Sequence, residues 1–265
     1  MTLNNKVVWI TGATSGIGEE LVYKIAKEGA KIVISARRES ELERVKKASN
    51  LNDDSIFIAP LDLAQPENFE AVTNSIIKKF GRIDLLINNA GISQRSLLME
   101  TQLSVTKQLM EINFFGTVAL TKTVLPHMIK NKLGKIVVIS SVAGKFGFYW
   151  RSAYSASKFA LHGYFEALRL ELYNDNIEVL MVCPGKINTN VSLNAVDGNG
   201  NKYNQLDPGT QNGMAADVCA SKIVKAMKAN KHEVYIGFGE TFAVYLKRFA
   251  PAKLFFNFIR KASPN

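Results

Sequence analysis

The sequence predicts a doubly wound α/β domain in which a seven-stranded parallel sheet lies between two layers of helices (α/β/α). Seven short runs rich in β-branched residues recur along the chain, and each has the length of a strand. The segments between these runs carry apolar residues at spacings of three and four, which is the helical period. The runs are almost continuously apolar, as expected for strands that are covered by helices on both faces.

The predicted strands follow one another at regular intervals, and helical segments separate them. Examples of these segments are Gly16 to Lys27 and Glu39 to Ser49, and two longer helices are predicted near 106–131 and 152–173. Ligands of such sheets bind at the carboxyl edge of the strands, so the residues just after each strand are the candidates for function. The strands are "KVVWITG" (6–12), "KIVISA" (31–36), "SIFIAPL" (55–61), "DLLINNAG" (84–91), "KIVVISS" (135–141), "EVLMVCP" (178–184) and "EVYIG" (233–237).

Composition restricts the class of protein. The chain has 265 residues, of which 47% are hydrophobic and 21% charged, as expected for one domain spanning 1–265 with a sizeable core. Cys183 and Cys219 are too few for a disulfide framework, and the three histidines show no metal-ligand spacing, so no metal site is predicted. The chain shows no signal-peptide pattern and no run of 18 apolar residues, which predicts a cytoplasmic protein.

Two segments depart from the alternation of strands and helices. Residues 185–213 are rich in Gly, Asn and Asp and predict a long functional loop over the substrate. Residues 240–262 form a basic amphipathic tail, which Pro251 should divide into two helices. Of the net charge of +10, five positive charges come from this end of the chain, where Phe242 to Asn265 contains no acid. The tail is expected either to close the substrate pocket or pack on a second subunit, or else to lie on an acidic membrane surface.

The first strand and first helix meet in a glycine-rich turn, "TGATSGIG" (11–18). Glycines at such a turn let the backbone approach a pyrophosphate, which the helix N-terminus then stabilises. At the end of the second strand, Ala36 occupies the position where NAD-binding units carry an acid, and Arg37 and Arg38 follow. Guanidinium groups at this position suit the 2′-phosphate of NADP(H), which is therefore the predicted cofactor.

These motifs, together with "LDL" (61–63), "NNAG" (88–91), "ISS" (139–141), "YSASK" (154–158) and "PGKINT" (184–189), occur in the order typical of one family. From about Asn4 through Ile236 the chain resembles the short-chain dehydrogenase/reductase family, whose fold is of the Rossmann type. The resemblance implies that Asp62 contacts the adenine and that the 184–189 segment contacts the nicotinamide. The full predicted cofactor set is Gly12, Thr14, Ser15, Gly16, Ile17, Gly18, Arg37, Arg38, Asp62, Leu63, Asn89, Ala90, Gly91, Tyr154, Lys158, Pro184, Gly185, Ile187 and Thr189.

The pattern Tyr-x-x-x-Lys occurs twice, at 23–27 and at 154–158. Tyr23 and Lys27 lie on the first predicted helix, where packing and solvation explain them. Tyr154 and Lys158 open a helix that follows a strand, and the i, i+4 spacing places both side chains on one face. A nearby ammonium lowers the pKa of a phenol toward neutrality, so Lys158 is expected to prepare Tyr154 for acid–base catalysis.

The resemblance implies two further catalytic residues, Ser141 and Asn113. In the family the serine precedes the tyrosine by thirteen residues, which selects Ser141, and alternation along the strand turns Ser140 to the opposite face. The lysine also holds the ribose hydroxyls of the nicotinamide half, and the asparagine supports a proton relay. Asn113 is assigned by resemblance alone, because a mid-helix asparagine otherwise predicts only a weakened helix.

Together these features predict an NADP(H)-dependent oxidoreductase that interconverts a carbonyl and a secondary alcohol on an apolar, steroid-like or lipid-like small molecule. A 3-oxoacyl-carrier-protein reductase-type enzyme and a non-catalytic cofactor-sensing protein are the alternatives. Nucleic-acid binding is not expected, because the basic tail residues are interspersed with apolar ones. The resemblance implies a homodimer or homotetramer built on the two long helices, where Ala153, Ala156, Ala160 and Gly163 allow close packing.

Overall fold

The computed structural model describes residues 2–205 and 207–261, and in this part of the chain it confirms the predicted architecture. Seven parallel strands form one sheet in the order β3-β2-β1-β4-β5-β6-β9, and β7 and β8 pair separately as a two-stranded sheet. The strands are β1 (Val7–Thr11), β2 (Lys31–Ser35), β3 (Ile56–Ile58), β4 (Leu85–Asn88), β5 (Gly134–Ile139), β6 (Ile177–Pro184), β7 (Ile187–Asn188), β8 (Met214–Ala215) and β9 (Glu233–Ile236).

Helices cover both faces of the large sheet. α1 and α2 coincide with the two shorter helices predicted from the sequence to within one residue at their ends. The helix predicted near 106–131 consists of α4 and α5 with a π-helical turn, Glu111–Phe115, between them. The helices are α1 (Gly16–Ala26), α2 (Glu39–Ser49), α3 (Phe69–Phe80), α4 (Leu103–Met110), α5 (Gly116–Asn131), α6 (Ser152–Glu171), α7 (Pro208–Gln211), α8 (Ala216–Lys228), α9 (Phe242–Phe249) and α10 (Ala252–Arg260).

The core has two halves, one on each face of the sheet. Because side chains alternate along a strand, Val8 and Ile10 of β1 pack on the same face as α1 and α8. Val7 and Trp9 point to the opposite face and join the cluster formed with α3, α5 and α6. Trp9 is fully buried, and its indole N–H donates to the Ser35 hydroxyl at 2.7 Å, which satisfies its polar atom.

The strand order reverses between β1 and β4, because β2 and β3 extend the sheet to one side and β5, β6 and β9 to the other. A crevice at the carboxyl edge of the sheet is expected at such a reversal, and ligands of doubly wound folds bind there. All the predicted cofactor segments follow the carboxyl ends of strands, so the topology brings them to this edge.

The C-terminal tail forms two amphipathic helices, α9 and α10, which Pro251 separates as predicted. Phe255 of α10 is buried against Phe146, with ring centroids 5.5 Å apart. Phe146 lies just after the Val142–Gly144 turn, which follows Ser141. The tail therefore packs beside the segment that carries the predicted substrate serine. Among the helices of the described residues, none has the length and hydropathy needed to cross a bilayer.

Candidate active site

The glycine-rich turn between β1 and α1 has the geometry that a dinucleotide phosphate requires. Gly12 has a φ of +65°, and a Cβ at this position would lie 2.8 Å from the Cα of Ala90. A Cβ on Gly18 would lie 2.2 Å from the Gly12 carbonyl oxygen, so no side chain fits at either position. Ser15 is the N-cap of α1 in extended conformation, and its side chain makes no capping hydrogen bond to the first N–H groups of the helix. These groups can accordingly receive an anion.

The "NNAG" segment connects this turn to the catalytic helices. The Asn89 amide donates to the carbonyl oxygens of Thr11 and Gly12, at 3.0 and 3.1 Å. The Thr11 hydroxyl in turn accepts from the backbone N–H groups of Asn89 and Ala90, both at 3.1 Å. The next residue, Gly91, is positioned so that a Cβ would lie 2.9 Å from Asn113 Oδ1 and 3.6 Å from Lys158 Nζ. The end of β4 is thereby fixed between the glycine-rich turn and the lysine predicted to be catalytic.

The residues predicted to hold the adenosine half lie after β2 and β3. Arg37 and Arg38 are exposed, and within the described residues neither guanidinium forms an ion pair. Asp62 accepts a hydrogen bond from the Ala64 N–H at 3.0 Å, and Leu63 is buried beneath it. Two unpaired guanidinium groups at the carboxyl edge of β2 suit a phosphate of an adenosine ribose.

The predicted nicotinamide segment follows β6. The carbonyl of Pro184 accepts a hydrogen bond from the Ser141 hydroxyl at 3.3 Å, and Ile187 is buried. Thr189 approaches the phosphate turn so closely that its methyl group would lie 2.9 Å from a Cβ on Gly16. Gly185 donates its N–H to Ile236 on β9 at 2.8 Å, which holds this segment against the sheet. The two ends of the predicted cofactor site, the phosphate turn and the 184–189 segment, are therefore neighbours.

Tyr154 and Lys158 face the same crevice from the first turns of α6. The Lys158 ammonium lies 5.8 Å from the centroid of the Tyr154 ring and donates to the Ile139 carbonyl at 2.9 Å. Burial lowers the pKa of Lys158 to about 8, and Cys183 opposes this shift weakly. The ammonium is thus retained at neutral pH but releases its proton more easily than a solvated lysine.

The environment of Tyr154 differs from the one expected from the sequence. Burial raises the pKa of the Tyr154 phenol, and the groups that oppose this shift are the Arg151 guanidinium and a hydrogen bond with Ser141. The expectation that Lys158 supplies the main compensating charge is wrong for this arrangement, because Arg151 provides it. The lysine ammonium is directed at the Ile139 carbonyl instead. At neutral pH Tyr154 is a neutral phenol, which suits a proton donor.

Ser140 and Ser141 point to opposite sides of the chain, as alternation predicts. The Ser141 hydroxyl interacts with Pro184 and lies within reach of Tyr154. The Ser140 hydroxyl lies 3.1 Å from Nε2 of His162, away from Tyr154. The geometry thus favours Ser141 as the group that contacts a substrate.

Asn113 lies in the π-helical turn between α4 and α5 and is buried. Its amide donates to the Ile92 carbonyl at 2.9 Å and to the Ser157 hydroxyl at 3.0 Å, and its Oδ1 accepts from the Ile92 N–H at 2.8 Å. These bonds join the "NNAG" strand to α6. A π turn often marks a functional site, because it redirects one side chain out of the helical register.

The other Tyr-x-x-x-Lys pair is remote from this crevice. The Tyr23 hydroxyl donates to Glu19 at 2.7 Å, and burial together with this carboxylate raises the pKa of Tyr23 to about 12. Lys27 is exposed. Packing and solvation explain both residues of this pair.

Three potential metal ligands that are far apart in the sequence come together behind Ser140. Atoms of His162, Cys183 and Glu233 lie within 4.8 Å of one another. The Lys145 ammonium lies 2.6 Å from the Glu233 carboxylate, and burial raises the pKa of the Cys183 thiol. Because the Glu233 carboxylate is paired with an ammonium and the Cys183 thiol is protonated, these residues form a hydrogen-bonded polar cluster. Spacing in the sequence could not have shown it.

Sequence reasoning also missed Gln94 and Arg151. The Gln94 side-chain oxygen accepts from the backbone N–H groups of Ala153 and Tyr154, at 2.9 and 3.3 Å, and so fixes the start of α6. Arg151 precedes Tyr154 by three residues, or about one helical turn, which is the only local sign of its proximity.

Comparison with known proteins agrees with the fold. Residues 6–199 match the family model described as short chain dehydrogenase. The chain is 44% identical to human dehydrogenase/reductase SDR family member 7 over 239 residues, covering 88% of this chain and 70% of that protein. It is 42% identical to mouse dehydrogenase/reductase SDR family member 7B over 258 residues, covering 96% of this chain and 80% of that protein.

Solved structures show the same architecture. A short-chain dehydrogenase from Streptomyces avermitilis superposes with a TM-score of 0.83 at 27% identity, covering 99% of this chain and 98% of that one. A short-chain dehydrogenase/reductase from Burkholderia phymatum in complex with NAD superposes with a TM-score of 0.83 at 21% identity, with 94% of each chain covered. The fold and the order of the motifs along the chain define a class of oxidoreductases that depend on a nicotinamide cofactor. The chain belongs to the short-chain dehydrogenase/reductase family.

Proposed function

We propose that the protein is an NADP(H)-dependent oxidoreductase that interconverts a carbonyl and a secondary alcohol on a largely apolar small molecule. The observation that carries the proposal is the convergence of Ser141, Tyr154 and Lys158 on one crevice beside the glycine-rich turn. The nicotinamide supplies or accepts the hydride when it is bound. The residues of this chain would bind the substrate oxygen and move its proton.

The proton route follows from the hydrogen bonds and the pKa directions. In reduction, Ser141 and the Tyr154 phenol would donate hydrogen bonds to the carbonyl oxygen, and Tyr154 would transfer its proton as the oxygen becomes negative. Lys158, whose pKa of about 8 lies near neutrality, would then stabilise the phenolate and help to return a proton to it. Arg151, whose charge opposes the rise in the pKa of Tyr154, would stabilise the same phenolate. Oxidation of an alcohol uses these steps in reverse.

The preference for NADP(H) over NAD(H) rests on Arg37 and Arg38. Both are exposed and unpaired among the described residues at the carboxyl edge of β2, and the position of the usual acid is occupied by Ala36. The preference for an apolar substrate rests on the contact of the tail with the segment after Ser141, where Phe255 of the tail forms an apolar cluster with Val142 and Phe146.

The alternative functions are weakened by specific features. A cofactor-sensing protein does not need a serine, tyrosine and lysine in a catalytic arrangement, and all three are present. A 3-oxoacyl-carrier-protein reductase-type enzyme needs neither the long 185–213 loop nor the aromatic tail. A substrate screen that includes both an acyl thioester and apolar ketones separates these alternatives.

The test is an NADPH-oxidation screen across ketosteroids, retinoids, acyl thioesters and quinones, with Tyr154→Phe and Tyr23→Phe as matched variants. Tyr154→Phe should lower turnover by about 10²- to 10⁴-fold while NADPH still binds, because only the proton donor is lost. Tyr23→Phe should remain nearly as active as the native protein. Equal behaviour of the two variants would remove the basis for the assignment.

We further propose that the tail contacts an anionic membrane surface peripherally and that the enzyme is a cytoplasmic homodimer or homotetramer. Large apolar side chains of the tail are exposed, including Phe242, Phe249 and Leu254, and they alternate with five basic residues. For the oligomer, Phe159 of α6 and Phe115 of the π turn are 40% and 52% exposed, which leaves an apolar surface on the two long helices. Ala153 cannot contribute to that surface, because it is buried within its own chain against Val105.

A further inference from the structure

Two arginines converge on one carboxylate next to the start of α6. Asp207 Oδ2 accepts from Arg95 and, at 3.1 Å, from Arg151. Arg95 is only 6% exposed. Among the described residues, 2–205 and 207–261, Asp207 carries the only carboxylate within ion-pair distance of the Arg95 or Arg151 guanidinium. The cluster therefore holds two positive charges and one negative charge in a largely buried place.

The imbalance is larger when the neighbouring lysine is included. The Lys186 ammonium and Asp207 Oδ1 lie 3.0 and 3.1 Å from the position that a Cβ on Gly209 would take. Lys186 is exposed, whereas Arg95 and Arg151 share the single carboxylate of Asp207 in a largely buried place. Two such guanidinium groups on one carboxylate leave a surplus of positive charge, which favours an anion. Guanidinium groups bind carboxylates and phosphates in particular, because their planar array of N–H donors matches two oxygens at once.

The position of the cluster connects it to the reaction. Arg151 immediately precedes α6 and lies three residues, or about 5 Å along the helix axis, before Tyr154. Arg95 lies beside Gln94, which holds the N–H groups of Ala153 and Tyr154. Asp207 belongs to the loop that is predicted to cover the substrate, and its Oδ1 also accepts from the Gly209 N–H at 2.8 Å. The carboxylate is thus presented to the arginines by the one segment expected to respond to substrate.

We propose that Arg95 and Arg151 form an oxyanion-binding subsite for a substrate that carries a carboxylate or phosphate in addition to its reacting carbonyl. In this structure the side chain of Asp207 occupies the subsite and so ties the segment that begins at Asp207 to it. A substrate anion would replace Asp207 on the two guanidinium groups. The link to a substrate rests on the proposed function, whereas the binding of an anion does not.

Binding is tested first, without turnover. Asp207→Asn removes the internal carboxylate, so added acetate or inorganic phosphate should bind and raise the thermal midpoint of this variant in a saturable way. At ten times its Kd the anion should increase the folding equilibrium constant about tenfold. Acetamide, or sodium chloride at equal ionic strength, should not reproduce the rise.

The matched variants separate the subsite from general salt effects. Asp207→Asn/Arg151→Gln should lose the response to acetate and phosphate. Asp207→Asn/Arg82→Gln should keep it, because Arg82 pairs with Asp84 before β4, at the opposite edge of the sheet. A rise that is absent from Asp207→Asn, or equal in the Arg151 double variant, overturns the proposal.

Turnover then tests the substrate class. The probes are medium-chain oxo acids and their methyl esters, which differ in the negative charge and one methyl group. Octyl phosphates that carry a ketone form a third arm, which distinguishes phosphate from carboxylate. The native enzyme should prefer an anionic substrate by about 10- to 100-fold in kcat/KM, and Arg151→Gln should bring the acid-to-ester ratio close to one. Equal kcat/KM for the acid, the phosphate and the ester overturns the assignment of substrate class. If neither these ketones nor any compound of the NADPH-oxidation screen is reduced, the proposed function fails, and the acetate and phosphate measurements still decide whether the subsite exists.

Discussion

His162 should make the protein sensitive to mild acid. Its Nε2 lies 3.1 Å from the Ser140 hydroxyl, and its Nδ1 is buried without a hydrogen-bond partner among the described residues. Burial, and then the positive charge of Lys145, lowers the pKa of His162 to about 4, and the carboxylates of Glu233 and Glu166 oppose this shift only in part. The imidazole is therefore neutral in the folded protein at neutral pH.

The consequence for stability follows from the two pKa values. An unfolded histidine has a pKa near 6.5, so between about pH 6.5 and 4 the unfolded chain binds more protons than the folded one. The free energy of unfolding must then fall as the pH falls through this range. For one group with these values, the loss between pH 7.5 and pH 5 is about 2 kcal/mol. The pKa of Glu233 is lowered, so it acts in the same direction, but its effect develops below its ordinary value of 4.5 and therefore outside the interval from pH 7.5 to pH 5.

The assay is urea unfolding at pH 7.5 and pH 5 of the native protein and of His162→Gln. Glutamine keeps an amide near Ser140 but cannot be protonated, so the variant should lose about 2 kcal/mol less than the native protein over the same interval. His232→Gln, which changes an exposed histidine, should behave like the native protein. If His162→Gln and the native protein lose the same free energy, His162 is not the group that senses the acid.

Three further outcomes are expected. Arg37→Asp should reverse the preference between NADP and NAD, because it removes a charge-assisted contact worth about 10- to 100-fold in affinity. Equal binding of the two cofactors by the native protein would contradict the assignment. Light scattering at micromolar concentration should show a dimer or tetramer, and Ala156→Arg on the exposed face of α6 should weaken it; a native monomer would refute the interface. The full chain should co-sediment with anionic vesicles more strongly than a chain ending at Gly239, and this binding should weaken at high salt. Equal, negligible pelleting of both chains would instead indicate that the tail closes the pocket.

Strand positions could be predicted because burial on both faces leaves a continuous apolar run, and all seven strands of the large sheet are found where such runs occur. The strand ends could not be predicted as well. β4 was expected to extend to Gly91 but ends at Asn88. The reason is that the N–H groups of Asn89 and Ala90 turn to the Thr11 hydroxyl instead of a neighbouring strand. The departure from regular pairing is what brings this segment to the phosphate turn.

Within the site, too, some residues could be predicted from the sequence and others could not. Tyr154, Lys158 and the glycines at 12–18 are recognisable because each set acts within one short segment, so the spacing in the chain is also the spacing in space. Asn113 needed the family resemblance, since its π turn leaves no pattern in the sequence. Arg151 was overlooked although it is one helical turn from Tyr154, because an arginine before a helix is ordinarily solvated.

A third group of residues makes contacts between segments that are distant in the sequence, and these contacts connect the 185–213 loop to the site. Asp207 is 112 residues from Arg95 and 56 from Arg151, and His162 is 21 residues from Cys183, so their contacts depend on the path of the whole chain. Cofactor and proton chemistry require fixed distances between a few groups, which local motifs can supply. On the proposed function, substrate selection would depend on the 185–213 loop and on the surfaces that it meets, which are assembled from distant segments. This is why the sequence predicts the type of reaction, whereas the charge that a substrate should carry can be inferred only from the folded arrangement of Arg95, Arg151 and Asp207.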